Sequence, residues 1–162
     1  MAARIEFAVG PGVSAAVLAI TREVWVSPEF SLDVRSGEGM DADLQEAIAE
    51  EQMAAFEHER ELVENLLGQA QFEKGPVVLD EAAAERLLQA AAGIRLALRN
   101  GKLGFLSDEV LESGGWQPGK LPPPMRAILG VYLFWAALQE AVVHALDESI
   151  HSSLQEDELD GD

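Results

Sequence analysis

The chain has 162 residues, the size of one domain, and 48% of them are apolar, enough for a buried core and too many for a disordered chain. It contains no cysteine, which excludes thiol nucleophiles, CxxC redox chemistry, thiolate zinc sites and cysteine-held clusters. Its net charge of -18, from 29 acids against 11 bases, argues against nucleic-acid phosphates and anionic membranes as partners.

In chain order, Ile5, Phe7 and Val9 alternate with smaller or polar residues and predict a short strand over Arg4–Val9. Gly10-Pro11-Gly12 breaks it. Ser14 is placed to cap a helix reaching about Val24, with Val17, Ile20 and Val24 at helical spacing. Phe7–Ile20 is only weakly apolar, has Arg4 alone as basic flank and is interrupted by Gly-Pro-Gly, so no signal peptide is expected. Pro28 stops the helix. Phe30, Leu32 and Val34 alternate with Ser31, Asp33 and Arg35 as a second strand, and Ser36–Gly39 is a loop. Asp41 to about Gln71 predicts the longest helix, with Leu44, Ile48, Ala55, Leu62 and Leu66 on one face and Phe56, Val63 and Leu67 beside them. Gly75-Pro76 ends it, and Val77-Val78-Leu79 suggests a third short strand. Asp80 caps the next helix, whose stripe is Leu87, Ala91, Ile94 and Leu98, and Asn100-Gly101 closes it. Ser107-Asp-Glu opens a short helix, followed by a Gly/Pro loop around Trp116. The last helix runs from Pro124 to about His151. Its segment Ala127–Leu138 carries no charged or strongly polar side chain, which marks the central helix of a bundle. Twelve such residues before Gln139-Glu140 are too few to span a bilayer.

These elements predict a mainly α fold: one helical domain over residues 1–152, bundled around the buried C-terminal helix, with a small peripheral sheet from the N-terminal strands. Residues 153–162 are expected to be a disordered acidic tail.

The acidity has two centres. Residues 38–64 hold ten acids and one base, and residues 147–162 hold seven acids and none. Such runs form a solvated face or a docking surface for a basic partner. Glu50, Glu51 and Glu57 represent the first. Arg95, Arg99 and Lys102 are the one basic cluster, suited to the negative end of a helix or to an acidic ligand. With Arg95, Arg99 and the loop residue Trp116, these glutamates make up the candidate interaction surface. Glu59 falls within the apolar stripe of its helix and is expected to pair with an arginine, Arg95 or Arg99, of the following one.

Two constellations suggest small-ligand chemistry. Gly10, Gly12 and Ala15 match the GxGxxA turn that carries a dinucleotide pyrophosphate to a helix N-terminus, although the further strand–helix alternations of that fold are missing. Glu140, His144, Asp147 and His151 are spaced four, three and four along the last helix and share a face on which a divalent metal could sit. Glu148-x-x-His151 is half of a diiron pattern whose other half is absent, since His58 has alanine three residues before it. No P-loop, GxSxG, HExxH or EF-hand loop occurs, so neither catalysis nor a cofactor is expected.

Val78-Leu-Asp-Glu, the helix ending Gly93-Ile-Arg-Leu-Ala-Leu98, and Val131-Tyr-Leu-Phe-Trp-Ala-Ala-Leu-Gln-Glu140 with Val142-Val-His-Ala-Leu146 together resemble an uncharacterised bacterial family, number twenty-seventeen in the domain-of-unknown-function series. The resemblance covers about residues 77–146 and rests on helix patterns. It implies a mostly helical, cytoplasmic bacterial protein. Members are often encoded beside the adaptor of the Clp protease, which implies a role in regulated proteolysis. The function expected from all this is a non-catalytic interaction or regulatory protein with a protein partner. Its alternative is a small-ligand or metal-binding protein. A last helix this apolar, covered by so few others, also suggests a homodimer.

Overall fold

Two aspartates set the helix starts that local chemistry can set. Asp41 accepts a hydrogen bond from the Asp43 amide at 3.3 Å, and Asp80 accepts one from Ala83 at 2.7 Å, each satisfying an amide that the first helical turn leaves without a partner. In the computed structural model, residues 2–27, 30, 41–107 and 121–159 are described. Strand β1 is Ala2–Ile5, and helix α1 is Val13–Trp25. Helices α2 (Ala42–Gly68) and α3 (Gln71–Lys74) follow. Then come strand β2 (Val77–Asp80), helix α4 (Glu81–Asn100) and helix α5 (Pro123–Leu159). The fold is mainly helical, with a small two-stranded antiparallel sheet.

That sheet pairs β1 with β2, Ala2 opposite Asp80 and Ile5 opposite Val77. The N-terminal strand is shorter than its alternation predicts. Phe7 and Val9 leave the ladder and lie half-buried against the core, where Phe7 meets Phe72 and Phe134 edge-on at 5.8 and 5.3 Å. All of the second predicted strand but Phe30 (residues 31–35), the helix opening at Ser107 beyond that serine, and the Trp116 loop lie outside the described residues.

The core gathers around α5. Trp135, Leu138 and Val142 are fully buried, and Ile128, Leu129, Val131 and Tyr132 nearly so. Against them α4 sets Leu87, Ala91, Ile94 and Leu98, the stripe its periodicity predicts. Helix α1 contributes Val17, Leu18 and Val24, and the end of α2 adds Val63, Leu66 and Leu67. By length and composition α5 would suffice to cross a membrane. In this fold its apolar stretch forms the centre of the core, so the hydrophobic residues are used in helix packing. One polar bond is buried with them: the Trp135 indole N–H donates to Thr21 Oγ1 at 3.2 Å, joining α5 to α1.

Two boundaries differ from expectation. Ser14 does not cap α1. It lies inside the helix with its hydroxyl fully buried, and the cap position is taken by Gly12 in the left-handed region at φ 80°, which glycine adopts without steric cost. The acidic tail expected from Ser153 continues α5 as helix through Leu159. No glycine or proline interrupts residues 131–159, so a helix already propagated to His151 adds turns without a new nucleation cost.

Candidate functional site

The N-terminal turn is closed by the protein itself. The Gly12 amide at the start of α1 donates to Glu73 Oε1 of α3 at 2.7 Å. An internal carboxylate thus holds the position where a pyrophosphate would accept from the helix N-terminus. Gly10 supports the turn by accepting from the Val13 amide at 3.2 Å, and Ala15 is exposed. Gly10 and Gly12 thus lie in a turn closed by Glu73, and the sheet beside them is antiparallel, whereas the dinucleotide-binding turn follows a strand of a parallel sheet.

The last-helix quartet is likewise not assembled into a metal site. Glu140, His144, Asp147 and His151 all face solvent. His144 Nε2 instead meets Glu148 Oε1, one turn on, at 3.1 Å. Among the described residues no group of three or more histidines, aspartates or glutamates is placed to hold a metal ion. One convex helix face spreads its ligands along the axis, and among the described residues no facing helix completes the shell.

Arg95 behaves differently from its expected pairing. Its guanidinium donates to Gln139 Oε1 and, at 3.1 Å, to the Tyr132 hydroxyl, and its Cζ lies 4.9 Å from the centre of the Tyr132 ring. Arg95 is thus a clamp between α4 and α5, half-buried, with its Nε buried and unpartnered. Glu59 faces Arg86 instead. Burial raises the Glu59 carboxyl above its ordinary range, and the Arg86 charge opposes that rise. The register of α2 on α4 sets Glu59 against the second turn of α4, whereas Arg95 lies more than two turns further on. Gln139 and Tyr132, seven residues apart on α5, were the missed partners; their spacing on one helix face was the available signal.

The acidic helix is the least covered element. Within α2 the buried residues are Val63, Leu66 and Leu67, so residues 42–62 contribute none. Glu50, Glu51 and Glu57 are exposed, and Glu57 lies 3.9 Å from Arg60. Leu44 and Met53 are each 50% exposed. Ala55, expected on the core face, is exposed, while Phe56 is half-buried against Trp25 and Phe30, at 6.3 and 5.2 Å. At the other end of α2, Arg22 of α1 grips Glu64 with two bonds, at 2.8 and 2.6 Å, and holds that carboxyl below its usual range. Arg99 is half-buried near the end of α4, and Trp116 lies outside the described residues. Glu50, Glu51 and Glu57 therefore share an exposed helix, whereas Arg95 belongs to the α4–α5 seam.

No curated protein and no solved structure matches the chain. The model of one family, a domain of unknown function, matches residues 28–146, a span that takes in α2, α4 and most of α5 and reaches further toward the N-terminus than the helix patterns of 77–146 alone. The chain belongs to that family, DUF2017.

Proposed function

We propose that the chain is a non-catalytic interaction protein whose exposed acidic helix α2 binds a basic segment of a protein partner in the bacterial cytoplasm. The observation that carries this reading is that no residue of 42–62 is fully buried in a helix that exposes Glu50, Glu51 and Glu57 beside the half-exposed Leu44 and Met53. Apolar side chains set among acids give a partner both contact area and electrostatic steering. The resemblance that places family members beside a protease adaptor supports regulated proteolysis as the process. Reversing Glu50, Glu51 and Glu57 to lysine is expected to abolish partner capture at unchanged melting temperature. Capture that survives the reversal overturns the proposal.

The small-ligand alternative loses support at both its sites, since Glu73 occupies the α1 terminus and the last-helix quartet is spread over solvent. A thermal-shift panel of divalent metals, dinucleotides and phosphates tests it directly. A ligand at a hundred times its Kd adds about 2.7 kcal/mol of stability. The interaction reading predicts a flat panel, and a saturable shift lost in His144→Ala or Gly12→Val contradicts it.

A further inference from the structure

Past Ala145 no residue of α5 is buried, yet the helix continues to Leu159, about 21 Å at 1.5 Å per residue. Along it Val143 and Ile150 are each 47% exposed and Leu154 58%. Their spacings of seven and four put them on one stripe, with Glu140, Asp147 and His151 along its flank. At its upper end the stripe opens into a groove of about 480 Å³ between α4 and α5, whose lining includes Arg95, Ala136, Glu140, Val143 and Asp147. Isolated exposed apolar residues are ordinary. Three in register, running into a groove, match the surface that receives another helix.

Charge decides what that helix is. No lysine or arginine follows Arg126, and seven acids lie from Asp147 onward. A second copy of this chain would bring the same acids against these, so like charges would meet across the seam. A helix with leucines on one face and lysines or arginines beside them would bury the stripe and pair with Glu140 and Asp147. We propose that the Val143–Leu154 stripe of α5 docks a basic amphipathic helix of a partner protein. This goes beyond the α2 surface, sharing with it the premise that the partner is a protein with a basic segment, and either surface can fail alone.

The test is fluorescence anisotropy of the full chain with a labelled helical peptide of about 18 residues, leucine at heptad core positions and lysine elsewhere, beside its scrambled isomer. The ordered peptide is expected to bind at least about tenfold more tightly than the scramble, and Ile150→Asp with Leu154→Asp to weaken it about tenfold or more. Both positions are exposed, so melting temperature and helicity should hold; Val143→Asp serves as a second variant should the pair fail to fold. Reversal of Glu50, Glu51 and Glu57 is expected to leave this binding within about threefold, which separates the two surfaces. Equal binding of the scramble, or undiminished binding by the variants, overturns the proposal. So does a wild-type dimer in sedimentation that Ile150→Asp with Leu154→Asp turns to monomer, for then the occupant is a second copy.

Discussion

At the scale of single residues, three contacts give opposite and separable signatures. Thr21 accepts the buried Trp135 indole N–H. Thr21→Val keeps the shape and orphans the donor, so urea unfolding should show a loss of about 1–3 kcal/mol. Glu64 is held below its ordinary range by the hydrogen bonds from Arg22, opposed by a smaller desolvation. A lowered folded-state value means that its contribution is present above the unfolded value, near pH 4.3, and is lost as pH falls through the folded one. The melting temperature of Glu64→Gln should therefore lie below wild type at neutral pH and converge with it in acid. Glu59 has the reverse sign, because burial raises its folded value. Its ionised form opposes folding above that value, and the penalty disappears below about pH 4.3. Glu59→Gln should melt higher than wild type at neutral pH and lose the advantage on acidification. An unchanged pH profile in either variant would contradict these assignments.

At the scale of elements, what could be read in advance was what depends on neighbours in the chain. Asp41 and Asp80 cap helices because their carboxylates reach amides two and three residues on, and the α4 stripe follows from its period. Ser14 misled because a cap depends on backbone conformation: once Gly12 adopts a left-handed φ, the helix starts before the serine. The partner of Gly12 is Glu73, 61 residues away, and no local pattern announces it. The β1–β2 pairing was hidden for the same reason, although both strands showed as short alternating or apolar runs. The Arg95 clamp depends on the register of α4 and α5, which side-chain packing sets. These closures can be probed by substitution. Asp80→Ala should cost about 1 kcal/mol through loss of the cap, and Gly12→Ala about 1–2 kcal/mol by forcing a side chain into left-handed backbone. Thermal or denaturant unfolding reads both, and a neutral Gly12→Ala would show that the turn relaxes.

At the scale of the whole molecule, apolar and acidic residues are sorted into different places. The neutral middle of the chain supplies most of the core, with Trp135, Leu138 and Val142 at its centre. The acids collect on the uncovered part of α2 and on the distal half of α5. The core helix was legible from its unbroken apolar run, and the acidic helices from composition. How far α2 stands uncovered was not, since its stripe of Leu44, Ile48 and Ala55 has the period of a buried face while its fully buried residues begin only at Val63. The function proposed for this exposed acidic face is recognition of a basic partner. The test is capture of partners from lysate of the source cells with wild type and with the Glu50→Lys, Glu51→Lys, Glu57→Lys variant, matched for melting temperature, at low and high salt. A discrete protein with a basic segment is expected, retained by wild type at low salt, released by high salt as screening shortens the reach of the charges, and absent from the variant. The same protein held equally by both, with no dependence on salt, would contradict it.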